Sequence, residues 1–157
     1  MTNLQEEARE FLSCERIAVV GVSRDPRQTA NAIYKKLRHT VPHVFAVNPR
    51  SDSAEGDPCY PDLRSIPGGV QAAVLVVPPS SVLEIVRQCH ELRIDRVWMH
   101  RSIGSGSVST DAVDFCRMNS IRVIAGACPM MYCQPVDFAH RCMRTVLGWF
   151  GGLPRME

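Results

Sequence analysis

The sequence has no long apolar run, no strong net charge and no close cysteine pair, and each absence removes a class of protein. No apolar stretch approaches the roughly 20 residues that a membrane-spanning helix needs. A net charge of +2 gives no electrostatic footprint for nucleic acid or for a membrane surface. The acidic, amphipathic start MTNLQEEAREFL is not a secretory signal, so the expected location is cytoplasmic.

The seven cysteines are many for 157 residues, but their number is odd and none forms a C-x-x-C pair. Without a secretion signal, this pattern predicts free thiols, several of them buried, rather than a disulfide framework. One cluster has metal-ligating residue types, and it consists of Cys128, Cys133, His140 and Cys142. Its spacing matches no common zinc pattern, so we predict no metal site.

What the sequence does contain is an alternation of short apolar runs with segments of helical periodicity. Hydrophobic residues make up 45% and charged residues 22%, as in an ordinary globular protein. The apolar runs predict five strands, at residues 17–22, 44–47, 72–77, 97–99 and 121–125. Helices are predicted between them and at both ends, over residues 1–13 and 136–150, and the Pro-, Gly- and Ser-rich stretch 51–69 predicts a loop.

Repeated strand–helix–strand units predict one α/β domain over residues 1–157, with a doubly wound, five-stranded parallel sheet and helices on both faces. The expected strand order is 3-2-1-4-5. In such sheets a ligand binds beyond the carboxyl ends of the strands, where the strand order reverses. That rule selects the loops at residues 21–28, 48–52, 78–81 and 100–107 as the candidate site. Ser81 and Glu84 also predict a capping box at the start of a helix.

The first of these loops resembles a dinucleotide-binding turn only in part. It consists of Gly21-Val22-Ser23-Arg24-Asp25-Pro26 and lacks the second and third glycines that bring a pyrophosphate against the backbone. Asn48-Pro49, followed by Arg50, replaces the acidic residue that would bind a ribose hydroxyl after the second strand. Both departures count against NAD, whereas Arg24, Arg27 and Arg50 supply cations for a ligand with additional phosphate groups.

Each feature also has a plainer structural interpretation, which the sequence leaves open. Gly21 can serve only as a tight turn, Ser23 as a helix cap, and each arginine as a solvated surface charge. The loop RSIGSGSVS suits backbone contact with a phosphate and simple flexibility equally well. His100 is the one histidine expected in the crevice, and it has no obvious carboxylate partner for acid–base catalysis.

Five motifs occur in order along the chain, and they are IAVVGVS, AVNP, CYPDLRSIPGGVQAAVLVVPP, VWMHRSIGSGSVS and IRVIAGACPMMY. Together they resemble the CoA-binding domain family. Its members are small Rossmann-like proteins similar to the N-terminal domain of the succinyl-CoA synthetase alpha subunit. The resemblance extends over about residues 16–153. Its most specific parts are Asn48-Pro49, the Tyr60-Pro61 and Ile66-Pro67 pairs, and the stretch 76–79.

The resemblance implies that coenzyme A or an acyl-CoA lies across the strand ends. Its phosphates would contact Gly21, Ser23 and Arg24. Its nucleotide portion would lie against Asn48, Pro49 and Arg50, with Val77, Pro78 and Pro79 on the adenine side. The 3′-phosphate and pyrophosphate make CoA strongly anionic, which is consistent with basic residues in place of the acid of an NAD site.

The acyl-CoA synthetases of this kind carry a second domain with a phosphorylated histidine, for which this sequence has no room. No loop offers a complete catalytic set, and Cys128 is expected to be a buried, unreactive thiol. The sequence therefore favours a CoA-binding module without catalysis of its own. Three alternatives stay open: a split acyl-CoA synthetase component that needs a partner subunit, an NAD(P)-binding oxidoreductase-like protein, and a sensor that forms a homodimer through its C-terminal helix.

Overall fold

The computed structural model describes residues 3–102 and 104–154, and it shows an α/β Rossmann-like fold with helices on both faces of one sheet. Ile103, in the predicted loop 100–107, and the first two residues of the predicted N-terminal helix lie outside the described residues. The strands are β1 (Arg16–Val20), β2 (His43–Val47), β3 (Ser53–Ala54), β4 (Asp57–Tyr60), β5 (Ala72–Leu75), β6 (Arg96–Met99) and β7 (Arg122–Ala125). The helices are α1 (Leu4–Leu12), α2 (Thr29–Arg38), α3 (Pro79–Glu91), α4 (Thr110–Met118) and α5 (Phe138–Trp149), with a short 3-10 turn at Pro129–Met131.

The strands form one sheet in the order β3-β4-β2-β1-β5-β6-β7, and every neighbouring pair is parallel except β3–β4. At the end of β1, Val20 lies opposite Val47 of β2 on one side and Leu75 of β5 on the other. The chain moves outward from β1 to β2 and later returns to β5 on the other side, so the strand order reverses at β1. The carboxyl end of β1 is therefore where this architecture places a ligand.

The predicted order 3-2-1-4-5 of five strands is wrong, because the third predicted strand, at residues 72–77, is β5 and pairs with β1. The outer position beside β2 belongs to β4, within the stretch predicted to be a loop. β3 and β4 are only two and four residues long and Pro58 lies inside β4, so neither shows the apolar pattern of a strand. Contacts distant in sequence hold β4 instead, since Tyr34 Oη and Arg38 Nη1 of α2 both donate to Asp57 Oδ2 at 2.6 Å.

The sheet separates two hydrophobic cores. On the face covered by α1 and α2, Trp98 is fully buried, and the ring of Phe11 meets it edge to face with the ring centroids 5.3 Å apart. On the face covered by α3 and α4, Val86 and Cys116 are among the buried side chains. Because aromatic side chains contribute much of the energy of a core, the contact with Trp98 makes α1 part of the folded unit.

α3 begins earlier than the predicted capping box of Ser81 and Glu84 requires. Pro78 is its N-cap and Pro79 its first residue, where the missing N–H of proline costs no helical hydrogen bond. The backbone N–H of Ser81 instead donates to the carbonyl of Pro78 at 2.9 Å. The double proline therefore ends the β5 segment and starts the helix at once.

α5 contains no buried residue, although residues 136–150 were expected to present one apolar side to the core. From that predicted side, Met143 and Leu147 pack against the core as half-buried residues. The exposed large apolar residues of this segment are Phe138, Val146, Trp149 and Phe150. The homodimer suggested for this helix stays a prediction, and these side chains are the surface it would use.

All seven cysteines are free and every one except Cys142 is buried, as the sequence predicts. Burial raises the pKa of both Cys89 and Cys116 to about 12, so these thiols are protonated at neutral pH.

Across residues 3–102 and 104–154, no helix combines the length and the apolar character that crossing a bilayer requires.

The contact between α1 and the sheet predicts a large effect of Phe11→Ala. Phe11 is 2% exposed, and removing a buried phenylalanine ring should lower the free energy of unfolding by about 3–5 kcal/mol. The matched control is Met118→Ala on α4, where the side chain is 85% exposed and the expected change is within about 0.5 kcal/mol. Urea unfolding measures both, and a loss below about 1 kcal/mol for Phe11→Ala would show that α1 is not part of the core.

Candidate functional site

The carboxyl ends of β1, β2, β5 and β6 border a cleft, which we call the strand-end cleft. It has two compartments whose walls share Gly21, Val76, Val77 and Pro78. The β2 compartment, of about 500 Å³, lies between the end of β2 and the first turns of α3. The α2 compartment, of about 310 Å³, lies between the start of α2 and the loop after β6. Both volumes are within the range of small-molecule sites.

The structure brings most of the predicted site residues to this cleft. Those that line it are Gly21, Asn48, Pro49, Arg50, Val77, Pro78 and His100. Ser23, Arg24 and Pro79 do not line either compartment, although they belong to the loops and the helix that border them. The parallel arrangement explains the convergence, since residues far apart in sequence follow strands that end at the same edge.

Gly21 makes the sharp turn at the end of β1, with a φ of 110° that only glycine adopts readily. Its N–H donates to the carbonyl of Val47 at 2.8 Å, which keeps the turn against β2. A Cβ atom at this position would stand 2.1 Å from the carbonyl oxygen of Val76. The turn therefore depends on the absence of a side chain, and it brings the chain after β1 directly over the end of β5.

Ser23 is not a helix cap, because α2 begins at Thr29 with Gln28 as its N-cap. Its hydroxyl accepts a hydrogen bond from the N–H of Asp25 at 3.1 Å and thereby closes a local turn. Asn31 of α2 also fixes this turn. Its Oδ1 accepts a hydrogen bond from the N–H of Ser23 at 3.0 Å, and its Nδ2 donates one to the carbonyl of Ser23 at 2.7 Å. The loop after β1 is thus fixed by side chains rather than by glycines.

Asn31, which was not predicted as a site residue from the sequence, is fully buried on the inner side of α2. Its Nδ2 also donates to Glu55 Oε1 at 2.8 Å, so it connects the loop after β1 to the turn between β3 and β4. The signal in the sequence was an amide residue one helical turn before the core residue Tyr34. A buried amide needs hydrogen-bond partners, and here the partners are the backbone of the loop.

The three arginines predicted to supply cations differ in their surroundings. Arg27 pairs with Asp25, with Nε 3.0 Å from Oδ1, and hydrogen bonds from Arg27 lower the pKa of that carboxyl group. Its charge is therefore compensated in this structure. Arg24 and Arg50 are exposed, and no carboxylate of the described residues pairs with either. They remain available for an anionic ligand.

Asn48 joins the loops after β1 and β2. Its Nδ2 donates to the carbonyl of Val22 at 3.0 Å, and its Oδ1 accepts from the N–H of Arg50 at 2.9 Å. The second bond closes an Asx turn around Pro49, which presents Arg50 at the rim of the β2 compartment. An uncharged amide thus stands where an NAD site would place its carboxylate, and it serves to connect the two loops.

The Gly/Ser loop after β6 closes the other side of the cleft. Ser107 is buried, its hydroxyl accepts from the N–H of Val77 at 2.9 Å, and its own N–H donates to the carbonyl of His100 at 2.7 Å. At Gly106, φ is 57° and an added Cβ would lie 2.4 Å from the same carbonyl oxygen. The loop therefore folds back tightly on the end of β6, and Ser107 connects it to the chain that follows β5. The sequence pattern indicated this loop but not the contacts of Ser107.

His100 is 8% exposed and lines the α2 compartment. Its Nε2 lies 3.0 Å from Ser102 Oγ. Burial lowers the pKa of His100 to about 4, because the charged imidazolium is poorly solvated there. The ring is therefore neutral at physiological pH and offers the cleft a hydrogen-bonding group without charge.

The cleft combines apolar walls and fixed backbone turns with the unpaired Arg50 at its rim, and Arg24 lies on the loop beside it. Cys128 is buried in the core and lines neither compartment, and burial raises the pKa of its thiol to about 11, so it is not a thiolate at neutral pH. Within the described ranges, no group of three His, Cys, Asp or Glu residues is arranged to hold a metal ion. What the arrangement offers is recognition of a phosphorylated ligand with an apolar portion.

Comparison with known proteins agrees with this geometry. A family model described as CoA binding domain matches residues 15–134, a span that contains every residue lining the strand-end cleft. The chain belongs to the CoA binding domain family. The resemblance inferred from the five sequence motifs is thereby confirmed, and α1 and α5 lie outside the matched span of this CoA binding domain.

Three relatives illustrate the family. The ADP-forming acetate–CoA ligase I of Archaeoglobus fulgidus is 40% identical over 73 residues, which cover 46% of this chain and 11% of that protein. Subunit alpha of the ADP-forming acetate–CoA ligase II of Pyrococcus furiosus is 33% identical over 82 residues, covering 52% of this chain and 18% of the subunit. A hypothetical protein from Pyrococcus horikoshii OT3 matches with a TM-score of 0.77 and 27% identity, covering 85% of this chain and 92% of that one. The chain thus spans less than a fifth of either ligase sequence.

The buried His100 predicts a specific loss of stability in acid. Its pKa is about 4 in the folded protein against an ordinary 6.5, so the unfolded chain takes up a proton first as pH falls between these values. The neutral His100 contributes up to about 3 kcal/mol to the free energy of unfolding. This contribution is complete above pH 6.5 and is lost as the pH falls towards about 4. In His100→Gln, which keeps an amide near Ser102, the unfolding free energy should fall less over this range.

Chemical denaturation at a series of pH values measures this difference. The carboxyl groups titrate equally in both proteins, so their contribution cancels when the two curves are subtracted. Parallel curves for the wild type and His100→Gln would contradict the lowered pKa.

Proposed function

We propose that this chain binds coenzyme A or an acyl-CoA in the strand-end cleft and has no catalysis of its own. The observation that carries the proposal is the position of the cleft. It lies where the strand order reverses, inside the span matched by the CoA binding domain model, and Arg50 at its rim has no carboxylate partner among the described residues. An anionic nucleotide would supply that partner.

The two compartments support a definite orientation of the ligand. In our proposal the nucleotide lies in the β2 compartment against Asn48 and Pro49, with its 3′-phosphate on Arg50. Val77 and Pro78 line the adenine side, and Pro79 supports them from the first turn of α3. The size of this compartment and its mostly apolar walls suit an adenine ring.

The phosphates and the pantetheine arm occupy the other half of the cleft in this proposal. The pyrophosphate approaches the turn of Gly21, Ser23 and Arg24, and the start of α2 adds its partial positive charge. The pantetheine arm then runs into the α2 compartment towards His100. Since the ring of His100 is neutral, it donates or accepts a hydrogen bond there without repelling or attracting charge.

The absence of catalysis is part of the proposal and has its own support. His100 has no carboxylate hydrogen-bonded to it among the described residues, and the buried Cys128 is protonated at neutral pH. A cytoplasmic location belongs to the same proposal. The free state of all seven cysteines is consistent with a reducing compartment.

A second candidate function is a CoA-binding component of a split acyl-CoA synthetase. It is favoured by the similarity to a ligase subunit that is named as one part of a larger enzyme. The two candidate functions can be distinguished by measuring the CoA affinity of the chain with and without a complementary subunit. A self-sufficient binding module has a fixed CoA affinity, whereas a component changes its CoA affinity when its complementary subunit is added.

The proposal predicts which ligands bind and which arginines matter. Calorimetry should detect CoA and acetyl-CoA, and it should detect neither NAD nor NADP at the same concentrations. Arg24→Glu and Arg50→Glu should each weaken CoA at least about tenfold, because each replaces a charge-assisted hydrogen bond to phosphate with repulsion. The control is Arg93→Glu, an equal charge change at an exposed residue of the turn after α3 that lines neither compartment.

Dephospho-CoA, which lacks the 3′-phosphate, separates the two arginines. Arg50→Glu should weaken CoA much more than dephospho-CoA, whereas Arg24→Glu should weaken both alike because it acts on the pyrophosphate. Binding of NAD without CoA would overturn the proposed ligand. Unchanged CoA affinity in Arg24→Glu and Arg50→Glu would overturn the proposed phosphate contacts.

A further inference from the structure

A second cavity lies away from the strand-end cleft and shares no lining residue with it. It has a volume of about 730 Å³, is open to solvent on one side and is bordered by α1, Thr40 after α2, the segment after the 3-10 turn and α5, so we name it the α1–α5 cavity. Residues from α1 and Arg144 of α5 form much of its wall. Both helices lie outside the span matched by the family model, whereas Thr40 and Tyr132, which also line the cavity, lie inside it.

The floor of the α1–α5 cavity is a fixed aromatic ring. Tyr132 packs on the buried Trp98, with the ring centroids 5.8 Å apart, and it is half-buried. Burial raises the pKa of its hydroxyl, so Tyr132 is protonated at neutral pH and able to donate. Its hydroxyl makes no hydrogen bond within residues 3–102 and 104–154. Leu12 adds apolar surface beside it.

The cavity wall carries a half-buried cation without a counter-ion. The guanidinium of Arg144 lies 5.6 Å from the centroid of the Tyr132 ring, and its Nη1 donates to the carbonyl of Met131 at 3.2 Å. These contacts hold the group in place, but no carboxylate in the described part of the chain pairs with it. Arg122, by comparison, pairs with both Glu7 and Glu10. A partly desolvated guanidinium gains most from an anionic partner.

The charge of the remaining cavity wall also favours an anionic ligand. Arg9 of α1 also lines the cavity, and the described residues give it no carboxylate partner either. The single carboxylate among the described lining residues is that of Glu6, against two guanidinium groups. Cys133 is neutral, because burial raises the pKa of its thiol to about 11. The lining therefore has a net positive charge beside an aromatic floor.

From these features we propose that the α1–α5 cavity is a second ligand site that takes a small aromatic or otherwise planar organic anion. The anionic group binds Arg144 and Arg9, and the planar part lies on Tyr132 and Leu12. The α1–α5 cavity shares no lining residue with the strand-end cleft, and only the competition experiment below rests on the proposed binding of CoA there.

The test uses 4-fluorobenzoate as the probe and follows its ¹⁹F NMR line width during titration with the full chain. The probe should bind, and the uncharged 4-fluorobenzyl alcohol should bind at least about fivefold more weakly because it lacks the anionic group. Arg144→Met and Arg9→Met should each weaken the probe at least about fivefold, while Arg144→Lys should retain part of the affinity. Arg141→Met is the matched control, since Arg141 is exposed on the same helix and does not line the cavity.

Competition with CoA locates the bound probe. A saturating concentration of CoA should leave the affinity for 4-fluorobenzoate unchanged, because the two cavities share no residue. If CoA displaces the probe, the probe occupies the strand-end cleft and the inference is wrong. It is equally overturned if the acid binds no better than the alcohol, or if neither Arg9→Met nor Arg144→Met weakens the acid. Arg9 is exposed on α1, so Arg9→Met tests the site even if Arg144→Met does not fold.

Discussion

The strand-end cleft depends on one close approach, between the backbone of Gly21 and the carbonyl of Val76. β1 and β5 stay hydrogen-bonded to their ends, since the N–H of Val76 donates to the carbonyl of Val20 at 2.9 Å. The chain after β1 must therefore turn within the space of a backbone alone. A side chain at Gly21 would displace Val76, which borders both compartments together with Gly21, Val77 and Pro78. The wall that the two compartments share thus depends on glycine at position 21.

Two asparagines hold the turn after β1 in place through hydrogen bonds from their side chains to its backbone. Asn31 binds both backbone groups of Ser23 from α2, and Asn48 reaches the carbonyl of Val22 from β2. A buried amide that satisfies its own polar atoms in this way holds neighbouring backbone in one geometry. Because both side chains are neutral, they fix the loop without adding negative charge near the arginines at the rim.

The sequence predicted the parts of this architecture that have a local signal. Continuous apolar runs predicted the parallel strands, and the strand-end rule then predicted the neighbourhood of Gly21, Asn48 and Pro78. The order of the strands was not predictable in this way, because β4 contains a proline and is held by contacts with Asp57 that join distant parts of the chain. Asn31 and Ser107 were missed for the same reason, since their partners are backbone groups of other loops. The start of α3 was misplaced because a capping pattern at Ser81 competes with prolines that already fit the first turn.

The lack of any buried residue in α5 has a consequence for how stability is distributed along the chain. The free energy needed to open a segment locally increases with the buried contacts that the segment loses. α5 has no buried residue and would lose few such contacts, whereas α2 has five buried residues. The amide hydrogens of α5 should therefore exchange with solvent through sub-global opening, and those of α2 only when the whole domain unfolds. We therefore expect two cooperative units, a resistant sheet with its inner helices and a C-terminal helix that opens while the sheet stays folded.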